Sequence, residues 1–150
     1  MSASPDWPDG VARHVLARVD STNAEAARLA PGLTQPTWIM AEHQTAARGR
    51  RGRPCVSDPG NFAATLVLHP KGGAANAALF SFVAALALHE ALGRATGRPE
   101  ALALKWPNDV LMNGGKVSGI LLESLGQGAE TRHLAIGIGV NLLTAPEAAD

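Results

Sequence analysis

Residues Ala46–Arg53, AARGRRGR, bring four arginines and two glycines into eight positions. Arginine offers a forked, permanently charged donor, and glycine lets backbone N–H groups approach an oxyanion closely. Arg48, Arg50, Arg51 and Arg53 are four of thirteen basic residues, balanced by thirteen acidic ones. A chain with no net charge lacks the broad basic field of a general nucleic-acid binder. The local focus therefore points to a small anionic ligand, or at most a short stretch of phosphate backbone. Four like charges this close repel one another, which predicts a loop that an anion organises. A solvated surface loop is the competing reading. Neither the Gly-Lys-Ser/Thr ending of a Walker A loop nor the G-x-G-x-x-G pattern is present.

Four other stretches carry groups that could share such a site. In KWPND (Lys105–Asp109), Asn108 and Asp109 follow a strand stopped by Pro107. They could hold Mg²⁺ through oxygen or orient an attacking amine, and a plain Asn-Asp turn is the alternative. Lys116 in GGKVSGILLE could snorkel from the sheet or pair with a carboxylate or phosphate in a cleft. Gly119, and Gly137 with Gly139 in GIGVN, remove side chains from two strands. They form either a flat ligand floor or a close contact with a helix. DSTN (Asp20–Asn23) supplies hydroxyls and an amide at a helix start, which suit a neutral head group or simply cap the helix.

The elements that must carry these groups follow from periodicity and punctuation. Val11–Asp20 reads as a strand, and a helix then starts at Ser21 or Thr22, with Glu25 placed for a capping box to Thr22. Pro31 and Gly32 end it. Strands are expected at Thr37–Gln44, Asn61–Pro70, Ala101–Trp106 and Arg132–Leu143, with a hairpin around Asn113-Gly114-Gly115. Ala77–Thr96 is the one long helix, with Leu79, Phe82, Val83 and Leu86 at i, i+3, i+4 and i+7, and it is expected against the sheet. Consecutive strands without helices favour an α+β domain, a mixed or antiparallel sheet with helices on one face.

Composition limits the remaining readings. A chain of 150 residues fits one domain. Cys55 is the single cysteine, which agrees with a reducing compartment. His14, His43, His69, His89 and His133 lack metal-ligand spacing, so zinc is not expected. No Gly-x-Ser-x-Gly elbow is present. The N-terminus MSASPDWPDG does not read as a leader, and the apolar run Ala77–Leu88 falls short of the ~20 residues that cross a bilayer. A cytoplasmic protein without membrane contact is expected.

Taken in order, DSTN, AEHQTAARGRRGR, LKWPNDV, GGKVSGILLE and IGIGVNL resemble the catalytic domain of biotin protein ligases from about Asp20 to Leu143. The resemblance implies the class II aminoacyl-tRNA synthetase-like fold shared by biotin and lipoate ligases. It implies activation of biotin with ATP and Mg²⁺ to biotinyl-5′-adenylate, then transfer to a lysine of a biotin carboxyl carrier protein. Biotin-binding positions would be Ser21, Thr22, Asn23, Gln44, Arg48, Gly49, Arg50, Lys116 and Gly119. Arg50, Arg51, Asn108 and Asn141 would meet ATP, Asn108 and Asp109 the metal, and Arg48, Arg50, Lys116 and Asp109 would act in catalysis. The chain departs from the family pattern at Ala47, where glycine is usual, and at Cys55, where tryptophan usually covers the adenine. It also stops at Asp150, short of the family's C-terminal β-barrel, and shows no helix-turn-helix, so DNA binding is not expected. A homodimer is left open. A non-catalytic biotin-binding module and a lipoate or octanoate ligase are the alternatives.

Overall fold

The computed structural model describes residues 7–72, 74–126 and 132–146. The leader-like or non-leader character of residues 1–6 lies outside them. β1 (Ala12–Leu16), β2 (Thr37–Ala41), β3 (Phe62–Leu68), β4 (Leu102–Lys105), β5 (Asp109–Met112), β6 (Gly115–Leu125) and β7 (His133–Val140) make one seven-stranded sheet. Its order is β1-β2-β3-β7-β6-β5-β4. β1 and β2 run parallel, and every other neighbouring pair is antiparallel. The expected mixed sheet is therefore present.

A parallel pair needs a crossover, and helix α1 (Thr22–Leu29) supplies it between β1 and β2. Ser21 caps this helix: its backbone is extended and its Oγ accepts the Ala24 N–H at 3.4 Å. The expected capping box between Thr22 and Glu25 does not form. With Ser21 as the cap, Glu25 lies one place too far along, and it bonds Arg28 at 2.6 Å instead. The chain then turns through Ala30–Gly32, as Pro31 and Gly32 require. Between β5 and β6, Asn113 and Gly114 both take positive φ, 51° and 84°, the geometry of a two-residue hairpin turn.

Helix α2 (Ala74–Thr96) joins β3 to β4. It packs on the sheet through Ala77, Ala84 and Ala85 with Phe80 and Leu88, against Ile120, Leu134 and Ile136. The helix thus lies against the sheet as expected, while the stripe of Leu79, Phe82, Val83 and Leu86 that marked it as a helix points away, 43% to 60% exposed. The helix is apolar on nearly all sides, so periodicity could not select its inner face. Alanines let its backbone approach strands whose own Ile and Leu side chains fill the gap. By length and composition, Ala75–Thr96 could also cross a membrane, unlike the shorter run counted from sequence.

The two helices lie on opposite faces, not on one. β7 decides this by alternation: Leu134 and Ile136 meet α2, while Ala135 joins the cluster of Ala26, Ala30, Ile39 and Val67 under α1.

Candidate functional site

The face of the sheet that carries α1 also gathers most of the chemistry. At its inner end, the first turn of α1 buries Ser21, Thr22 and Asn23. The Gln44 amide oxygen accepts from the Thr22 N–H at 2.9 Å, and its Nε2 donates to Ser57 Oγ at 3.2 Å. Thr65, fully buried on β3, lies 2.6 Å from Asn23 Oδ1 and 2.8 Å from Thr22 Oγ1. An amide oxygen can only accept, so Thr65 gives its single proton to Asn23, and the Thr22 hydroxyl stands between Thr65 and the Gln44 amide oxygen, 3.2 Å away. Asn23 Nδ2 donates to Glu123 Oε2 at 2.7 Å on β6. Just before the helix, Arg28 and the Ser21 N–H hold the Asp20 carboxyl down at about 2.

Glycines open the middle of this face. A Cβ on Gly137 would overlap the Asn23 amide, whose Cγ would stand 2.9 Å away. Gly137 is thus the close-approach glycine, and its neighbour is α1 rather than the long helix. Gly139, paired with Gly119 across β6 and β7, has nothing within 4 Å of that position. It leaves open floor.

At the outer end, Lys116 Nζ lies 3.2 Å from Asp109 Oδ1, and both crowd the position where Gly119 lacks a side chain. Asn108 donates from Nδ2 to the Ile120 carbonyl at 2.7 Å and accepts from Arg50 Nη1 at 3.0 Å. Asn141 ties the end of β7 to the start of β6, donating to the Lys116 carbonyl at 3.3 Å.

The arginine loop is a small hairpin over this face. Arg48 bridges to Pro54, Gly49 N–H bonds the Arg53 carbonyl at 2.7 Å, and Cys55 N–H bonds the Ala47 carbonyl at 2.9 Å. Its tip turns through Arg51 and Gly52, both at positive φ. A Cβ on Gly49 would stand 3.1 Å from Cys55 Sγ. Arg48 reaches Glu123 Oε1 at 3.3 Å, and Arg50 reaches Asn108. Among the described residues, the side chains of Arg51 and Arg53 have no hydrogen-bonding partner.

All the expected site residues thus lie on this face or on the loop above it. Ser57, Thr65 and Glu123 were missed. Thr65 lies between Ala64 and Leu66, and Glu123 follows the aliphatic run Ile120–Leu122, a signal that a polar group faces something other than the core. No cluster of three or more His, Cys, Asp or Glu that could cage a metal occurs among the described residues. Asn108 and Asp109 are two adjacent oxygen donors, each already engaged by a cationic side chain. His69 and His133 meet edge to face at 4.6 Å beside Arg132, and burial with those charges lowers the His133 pKa.

Comparison with known proteins follows the same residues. A model of the biotin/lipoate A/B protein ligase family matches residues 15–141. The biotin–[acetyl-CoA-carboxylase] ligase of Paracoccus denitrificans is 63% identical over 134 residues, 89% of this chain and 56% of that protein. The Leishmania major biotin protein ligase, solved in complex with biotinyl-5-AMP, is similar at a TM-score of 0.78. It shares 29% identity over 95% of this chain and 61% of its own. The Aquifex aeolicus biotin protein ligase, solved with biotin and ATP, gives 0.75 at 33% identity over 91% of this chain and 55% of its own. This chain spans about half the length of the curated relatives it matches. The family match runs unbroken through the capped turn at Ser21, the arginine loop, the Lys105–Asp109 corner and the β7 glycines, and by it the chain belongs to the biotin/lipoate A/B protein ligase family.

Proposed function

We propose that this chain is the biotin-activating part of a biotin protein ligase catalytic domain. It would join biotin to AMP at the expense of ATP and pass biotin to a lysine of a carrier domain. One observation carries the reading. A cluster of neutral hydrogen-bonding groups, an open glycine floor and a cationic end lie in that order on one sheet face. A ligand with a ureido head, an apolar tail and a terminal carboxylate has the same order. Relatives solved with biotin, ATP or biotinyl-5-AMP support the choice of ligand.

In this reading Ser21, Thr22, Asn23 and Gln44 bind the head group, and the tail crosses Gly119 and Gly139. The carboxylate exchanges into the Lys116–Asp109 pair, where Lys116 receives it. A carboxylate oxygen then attacks the α-phosphorus, and pyrophosphate leaves. Arg48, Gly49 and Arg50 close over the two anions and exclude water from the mixed anhydride, whose charge Lys116 and the guanidinium groups stabilise. Arg50, Arg51, Asn108 and Asn141 contact the nucleotide. Mg²⁺, when bound, neutralises triphosphate charge. Asn108 and Asp109 offer only two oxygens, which suits an ion held largely by the nucleotide itself. In the second step the carrier amine attacks the acyl carbon and AMP leaves. Asp109, its lysine partner now on the ligand, accepts the amine proton.

The test is mass spectrometry of ligand bound after incubation with biotin and Mg-ATP. A species with the mass of biotinyl-adenylate, absent from Lys116→Ala, is expected. Tight biotin binding without that species would replace the ligase reading with a binding module. Preferential adenylation of lipoate would replace biotin as the substrate.

A further inference from the structure

Among the described residues, Glu123 is the one carboxylate that meets both halves of the site, and nothing in the mechanism above uses it. It stands on β6 opposite Ala135, on the α1 face, its side chain 32% exposed. Oε2 accepts from Asn23 Nδ2 at 2.7 Å, and Oε1 and Oε2 lie 3.3 and 3.5 Å from Arg48 Nη2. Its partners come from segments 100 and 75 residues away in the chain. We propose that Glu123 is a positioning residue: one carboxylate orients the Asn23 amide in the head-group pocket and anchors the root of the arginine loop, coupling the two.

The chemistry of the groups carries this. A carboxylate only accepts, so Asn23 must turn its NH₂ towards Glu123 and its oxygen towards Thr65. That orientation fixes which end of the amide meets β6 and which meets β3. Gly137 supplies the space in which the amide is held. Arg48 is the first of four arginines, and without a local anion the mutual repulsion of the loop would swing it outward. Glu123 neutralises the arginine nearest the sheet and leaves Arg51 and Arg53 unpaired for the incoming anion. The Asn23 contact is partly buried and the Arg48 contact more exposed, and the carboxylate accepts in both. A ligand that fixes Asn23 therefore also fixes the carboxylate on which Arg48 rests.

The experiment compares wild type, Glu123→Gln and Glu123→Asp in two independent arms. In the first, the ligand-free chain meets trypsin, which can cut after Arg48, Arg50 and Arg51 but is blocked after Arg53 by Pro54. Cleavage after Lys71 and Arg94 serves as the internal control. Glu123→Gln should cut about three- to fivefold faster in the loop only, the loss of a partly exposed ionic anchor, while Glu123→Asp stays near wild type. In the second arm, calorimetry with biotin should show Glu123→Gln about tenfold weaker, with Asn23→Ala adding less than about twofold on top. Unchanged loop cleavage in Glu123→Gln, a rise equal at the control sites, or fully additive losses with Asn23→Ala would each overturn the proposal. The binding arm rests on the biotin reading. If wild type binds no biotin, that reading falls, and the cleavage arm still decides the anchor.

Discussion

Two surfaces of β7 share one backbone and differ in nearly everything else. Towards α2 it presents Leu134, Ile136 and Ile138, with Ile120 and Leu122 of β6 alongside. Towards α1 it presents Ala135, Gly137 and Gly139, with Gly119 and Glu123 of β6 beside them. The first surface is filled by side chains from both partners and excludes water. The second has had side chains removed, and polar groups line what remains. Burial on one face supplies the favourable apolar term, about 25 cal/mol per Å². That allows the opposite face to stay open and polar without loss of the shared hydrogen-bond ladder. The lesson is a division of labour by residue parity, so equal-sized substitutions two faces apart should have opposite consequences.

The contrast breaks most severely at Gly137. Gly137→Val would drive a branched side chain into the Asn23 amide, breaking its bonds to Thr65 and Glu123. Overpacking and the lost hydrogen bonds together should cost on the order of 4 kcal/mol in denaturant unfolding, and biotin binding by calorimetry should vanish. Ile136→Val, one residue away on the α2 face, should lower stability by about 1 kcal/mol and leave biotin affinity within about twofold of wild type. A drop in affinity comparable to that of Gly137→Val would sink the separation of faces. The smallest stability effect belongs to Gly139→Ala, where the added methyl meets no protein atom. It should raise stability by about 0.5 kcal/mol, as alanine replaces glycine in a strand, yet weaken biotin. Equal affinity in that variant would show that Gly139 is not ligand floor.

The elements themselves were largely readable. Strand limits moved by a few residues at their ends, and Pro31-Gly32, Pro70 and Asn113-Gly114 punctuated the chain where the structure turns. The misses have physical causes. α2 is apolar on most sides, and only the volume left by Ile120, Leu134 and Ile136 selects its alanine face. Opposite placement of the helices depends on which strand neighbours which, and β3 pairs with β7 across more than sixty intervening residues. Thr65 escaped notice as the one polar residue of an apolar strand, and Glu123 as one of several polar residues on β6 with no motif of its own. Their importance lies in partners that the fold delivers.

By itself the sequence determined the order of elements, a capped helix start at Ser21 or Thr22, the glycine-bearing strands and the cationic loop, because these depend on neighbours within a few residues. It also supplied the ordered motifs by which the family is known. Tertiary structure decided which glycine packs against protein and which stays open, that Lys116 lies on Asp109, and that Glu123 joins Asn23 to Arg48. Gly137 and Gly139 are the same residue two places apart on one strand. Only the arrival of α1 above the first of them makes their roles differ.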